Sequence, residues 1–98
     1  MNSTDRLLIV VTDIIRITGR GIFPWPVVPH ETIGGSTGEP LKIGDELELR
    51  RPDGSIVKTT LCGLEWPSPA KGGLILRLEA SISEADLPLG TEIWKVGA

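Results

Sequence analysis

Twelve glycines and eight prolines, about a fifth of the 98 residues, fall between short runs of aliphatic and β-branched side chains. Punctuation of this density leaves no room for a long helix and predicts many turns joining short strands. The chain is short enough to be one domain, residues 1–98, which excludes a catalytic domain carrying a separate regulatory one. With 40% hydrophobic and 23% charged residues, the composition suits a folded core and not a disordered segment.

Leu7 to Ile17 reads LLIVVTDIIRI, with polar residues only at Thr12, Asp13 and Arg16. Six Ile and Val in eleven positions, without a polar stripe at helical spacing, predict one long strand buried on much of both faces. Thr18-Gly19-Arg20-Gly21 then supplies a tight reversal before Ile22 and Phe23. Pro24, Pro26 and Pro29 cannot donate to a ladder, so the second strand is expected to be short, irregular or at an edge. Residues 30–40, HETIGGSTGEP, carry no apolar periodicity and are expected to form a flexible surface loop.

Regular alternation resumes where Leu47 and Leu49 interleave with Glu46, Glu48 and Arg50, the pattern of a half-buried strand. Arg51-Pro52-Asp53-Gly54-Ser55 has proline and glycine at the positions a hairpin turn wants them. Ile56 to Trp66 is expected to pair back on that strand, with Gly63 marking a bulge. Leu74, Leu76 and Leu78 give a further strand, Ser83 to Asp86 a capped helical turn, and Ile93 to Val96 a last strand. Six strands joined by hairpin chemistry, with no helix for a parallel crossover, predict an all-β fold, a six-stranded antiparallel closed barrel.

Chemistry-bearing residues are sparse. Cys62 is the only cysteine, so no intramolecular disulfide forms, and its apolar neighbours predict a buried thiol in a reducing compartment. His30 is the only imidazole and opens a glycine-rich segment, a poor place to fix catalytic geometry. No metal-ligand spacing is present, and Gly34-Gly35-Ser36-Thr37-Gly38 lacks the Lys-Ser/Thr of a phosphate loop. Neither a cofactor nor a metal is expected. A net charge of −3 disfavours broad capture of a phosphate backbone. Arg16, Arg20, Arg50, Arg51 and Lys58 are interleaved with acids and predict a solvated mixed-charge face. Trp25, Trp66 and Trp94, flanked by apolar residues or proline, are expected to pack in the core or at a barrel rim. No stretch approaches the roughly 18 apolar residues that cross a bilayer, and Met1 to Asp5 lacks the basic start of a secretory signal, so the expected location is cytoplasmic, with no membrane partner.

In the order of these strands and turns the chain resembles the second domain of translational GTPases, the β-barrel of the elongation factor Tu type. Asp13 to Gly21, DIIRITGRG, is similar to that family's DVFxIxGRG. Leu41 to Leu49 is similar to its IKVGDEVEI, Lys58 to Glu65 to its KTTVTGIE, and Ser83 to Gly90 to its KREDVERG. The likeness spans nearly the whole chain, and no counterpart of the family's GTPase domain is present, so it implies no GTP binding by this chain. It implies that a stand-alone barrel holds a partner, with the aminoacylated 3′ end of tRNA the family's own ligand. Carried over by position, Asp13 and Glu65 keep the family's acids, while Thr12 replaces a second acid and Ile15 a phenylalanine. Arg20 stands in the hairpin turn between them. The resulting expectation is a non-catalytic binding module for a protein or RNA, contacted through Asp13, Arg20 and Glu65, and not an enzyme. The alternatives are a tRNA- or ribosome-associated protein, and a small hydrolase in the barrel mouth built on His30 and Cys62.

Overall fold

The β-branched stretch from Leu7 to Ile17 is extended, as its side chains require, but it is two strands and not one. A computed structural model describes residues 5–35, 39–67 and 72–97. Its strands are β1 (Arg6–Val10), β2 (Asp13–Ile17), β3 (Gly21–Trp25), β4 (Val28–Pro29), β5 (Glu46–Arg50), β6 (Ile56–Thr60), β7 (Gly63–Glu65), β8 (Gly73–Arg77) and β9 (Glu92–Lys95). One five-residue helix, α1 (His30–Gly34), and a 3₁₀ turn at Glu84–Asp86 complete the described elements. Among the described residues no helix is long and apolar enough to cross a membrane.

The strands form three separate sheets: β1-β9-β5-β6, the ribbon β2-β3, and β4-β8-β7. All of the pairings are antiparallel. The fold is therefore predominantly β, as expected, but the six-stranded closed barrel is corrected: the hydrogen-bonded ladder does not close. Two long strands change sheets partway along. Val11 N–H donates to the Thr91 carbonyl at 2.8 Å, whereas Thr12 N–H donates to the Trp25 carbonyl at 2.9 Å, so the chain leaves one sheet and enters the next between these residues. The same happens at Leu61, whose N–H donates to Asp45, and Cys62, whose N–H donates to Arg77. Such transfers at bends are how strands turn the corner between packed sheets. β3 runs beside β8 without a ladder between them, and Pro24 within β3 has no N–H to offer.

Turn chemistry behaves as its residue types dictate. Gly54 adopts φ +89° and donates to the Arg51 carbonyl at 2.9 Å, closing the β5–β6 hairpin, while the Asp53 carboxylate accepts from Ser55 N–H at 2.9 Å. Arg20 N–H donates to the Ile17 carbonyl at 2.9 Å in the β2–β3 reversal. The Asp86 carboxylate accepts from both the backbone N–H (2.9 Å) and the hydroxyl (3.2 Å) of Ser83, forming the anticipated cap. The expectation of a flexible loop over 30–40 is corrected at its start. His30 to Gly34 is helical, Gly35 caps it, and Leu41 N–H donates to the Ile33 carbonyl at 2.9 Å; residues 36–38 lie outside the described set.

The core gathers Leu8, Ile9, Val11 and Val28 with Leu47, Leu49, Leu61, Leu76 and Ile93, drawn from all but the ribbon of the three sheets. Thr91 is fully buried among them, and its hydroxyl is satisfied by the Pro88 carbonyl at 2.6 Å. Where β4 meets β8 the backbones come so close that a Cβ on Gly73 would sit 2.0 Å from the Val28 carbonyl oxygen, a position only glycine can fill.

Candidate functional site

The tip of the β2–β3 ribbon is a glycine-flanked turn that lifts Arg20 away from the sheet. From there its guanidinium reaches Glu65 at the end of β7, Nη2 to Oε1 2.6 Å, a contact between residues 45 positions apart. The Arg20 guanidinium carbon also lies 5.9 Å from the centre of the Phe23 ring. The two ion-pair partners are 49% and 26% exposed, so the pair is partly open to solvent. Asp13 does not join them. It occupies the opposite end of β2, facing Trp25, and its carboxylate accepts from the N–H of Ile14 at 2.8 Å. Four residue steps of about 3.3 Å put roughly 13 Å of strand between Asp13 and Ile17, where the turn begins. Of the three residues expected to contact a partner, the fold unites Arg20 with Glu65 and leaves Asp13 apart.

Beside this pair lies a cleft of about 610 Å³ between the start of β3 and the chain from Arg77 to Glu84. Phe23, Leu78 and Ile82 give it apolar walls, while Arg20, Arg77, Glu79, Glu84 and Cys62 supply polar ones. Glu79 accepts from the hydroxyls of Thr59 and Thr60, each at 3.2 Å. Glu84 is gripped by Arg16 through two bonds, Nε to Oε1 and Nη2 to Oε2, the latter 2.6 Å. That hydrogen bonding holds the Glu84 carboxyl below its usual range and raises the Arg16 guanidinium. Arg77 and Ile82 escaped the sequence reading because nothing local to them signals that β8 runs beside β3.

The Cys62 thiol is exposed and not buried, a correction whose reason is alternation along the strand: Thr59 and Leu61 point inward and Cys62 out. Its sulfur lies 4.0 Å from the Thr60 hydroxyl. His30 does not line this cleft; its ring sits 6.0 Å from that of Trp66, which is 70% exposed where packing was expected. Trp94 is half-buried beneath the Arg50 guanidinium, 4.4 Å from its ring centre, and Arg50 in turn binds Asp5 (2.6 Å) and Glu48 (3.0 Å). Burial works against the Arg50 charge, but these carboxylates outweigh it and raise its pKa. Arg51 lies 3.8 Å from Asp86, so the four arginines of the expected mixed-charge face are each matched by an acid. Among the described residues, no three His, Cys, Asp or Glu side chains come together in a way that could hold a metal ion.

No family model matches the chain, and no curated protein or solved structure is significantly similar to it.

Proposed function

We propose that this chain is a non-catalytic binding module of the cytoplasm, resembling the barrel domain of elongation factor Tu, which engages a protein or RNA partner through the face at the tip of the β2–β3 ribbon. The observation that carries this reading is the Arg20–Glu65 pair: two opposite charges, partly open to solvent, brought together from distant parts of the chain, with Arg20 also lining a cleft. A surface ion pair of this exposure adds under about 1 kcal/mol to folding, so its placement is of more use to a ligand than to stability. The exposed Ile17 supplies apolar surface at the end of β2, where the turn begins.

RNA is the partner class we favour, since the resemblance to the elongation factor Tu barrel puts Glu65 at a position that family uses to hold the 3′ end of tRNA. Titration of the folded protein with aminoacyl-tRNA across 50–200 mM salt tests it. Binding that weakens with salt and is lost in Arg20→Ala and Glu65→Ala is the expected result. Affinity unchanged by either substitution removes this face from the reading, and no binding at the lowest salt overturns the RNA assignment.

A further inference from the structure

We propose that the cleft between β3 and the Arg77–Glu84 chain is a site for a small organic anion with an apolar body, its acid group held by Arg77. Four charged side chains line the cleft, and three already have partners: Arg20 an ion pair with Glu65, Glu84 an ion pair with Arg16, and Glu79 two threonine hydroxyls that satisfy its oxygen but leave its charge. Arg77 is exposed, and among the described residues its side chain has neither an ion pair nor a hydrogen bond. Its stem is laid against Gly63 on the paired strand, where a Cβ would lie 3.3 Å from Arg77 Cδ; the missing side chain is what leaves the arm its course. A guanidinium presents a planar fork of donors that matches a carboxylate or sulfonate.

The rest of the cleft sets the body of the ligand. Phe23 and Leu78 are buried on its floor, with Ile82 partly buried next to them. At about 610 Å³ it falls in the size range of small-molecule sites, which combine apolar walls with a few placed polar groups. Inorganic phosphate would meet Arg77 and leave the walls bare, and a neutral hydrocarbon would fill the walls and leave Arg77 unmatched. An anion with an aromatic or aliphatic body uses both. This site goes beyond the Arg20–Glu65 face and does not depend on it.

The test is a fluorescence titration of the full chain with 8-anilinonaphthalene-1-sulfonate and with its uncharged counterpart N-phenyl-1-naphthylamine. Saturable binding of the sulfonate at one site is expected, weakened about tenfold by Arg77→Gln, the scale of one charged hydrogen-bonded contact. Lys58→Gln, which removes the same charge from an exposed position on β6, should leave it unchanged. The uncharged dye should bind wild type and Arg77→Gln equally, which also reports that the variant is folded. Equal sulfonate affinity in wild type and Arg77→Gln, an equal loss in Lys58→Gln, or wild-type affinity for the uncharged dye matching that for the sulfonate would each overturn the assignment. Failure here leaves the tRNA titration untouched, because that experiment reads Arg20 and Glu65.

Discussion

β5 and β2 are strands of equal length, each with apolar residues enough for a core, and they meet different fates. In β5, Leu47 and Leu49 are completely buried. In β2, whose sequence DIIRI holds three isoleucines, no residue is buried and Ile17 is 40% exposed. The difference lies in their neighbours. β5 is flanked by β9 and β6, and its inward face meets the core; β2 has a single partner, β3. Apolar content makes a strand, while the number of strands and layers around it decides how much of that content leaves water. The consequence is functional as well as energetic: the less buried strand belongs to the ribbon whose turn carries Arg20 and whose other strand, β3, borders the cleft.

The comparison is most sharply tested by matched truncations. Leu47→Ala should cost about 2–5 kcal/mol, the range for a buried leucine, whereas Ile17→Ala should cost under about 1 kcal/mol. Urea unfolding at constant slope measures both, and equal shifts in midpoint would mean that the ribbon is as integral to the fold as the central sheet. A smaller effect is expected at the 3₁₀ turn, which tethers the ribbon through Glu84 and Arg16. Asp86→Ala, which removes the acceptor of the Ser83 cap, should destabilise by about 1 kcal/mol, with faster amide exchange at the turn than in β5.

The smallest effect is the pH dependence of that tether. Glu84 has its pKa lowered from an ordinary 4.5 by its hydrogen bonds to Arg16, and Asp53 has its own lowered from 3.8 by Ser55. A carboxyl whose folded pKa lies below its unfolded value stabilises the fold above the unfolded value and loses that contribution as pH falls through the folded one. Stability is therefore expected to be level through neutral pH as far as these groups are concerned and to decline on acidification below about pH 4.5. Glu84→Gln should shallow that acid limb in thermal melts and slightly lower the neutral plateau, bringing the two ends of the pH profile closer together. An acid limb identical in the variant would show that Arg16 and Glu84 do not hold the ribbon.

Much of the β architecture was legible in the residues themselves. The Arg51–Ser55 and Thr18–Gly21 reversals, the alternation around Leu47 and Leu49, and the Ser83–Asp86 cap all form where their residue types place them. The expected long strand from Leu7 to Ile17 failed at Val11 and Thr12, and the hairpin partner from Ile56 to Trp66 failed at Leu61 and Cys62, for one reason. At both places the backbone exchanges one sheet for another, and the groups that accept its hydrogen bonds lie far along the chain. The same blindness hid the placement of Arg77 in the cleft and left the contact between Arg20 and Glu65 unannounced.

What the amino-acid order determined alone was local: where the backbone extends, where it reverses, and which side chains of a strand share a face. These preferences arise from steric limits on φ and ψ and from hydrogen bonds between residues a few positions apart. Which strands become neighbours, where a sheet ends, and which charges meet across 45 residues were settled only in the tertiary structure. Sheet pairing is a competition among distant backbone donors and acceptors, decided by how the whole set of apolar faces is buried at once.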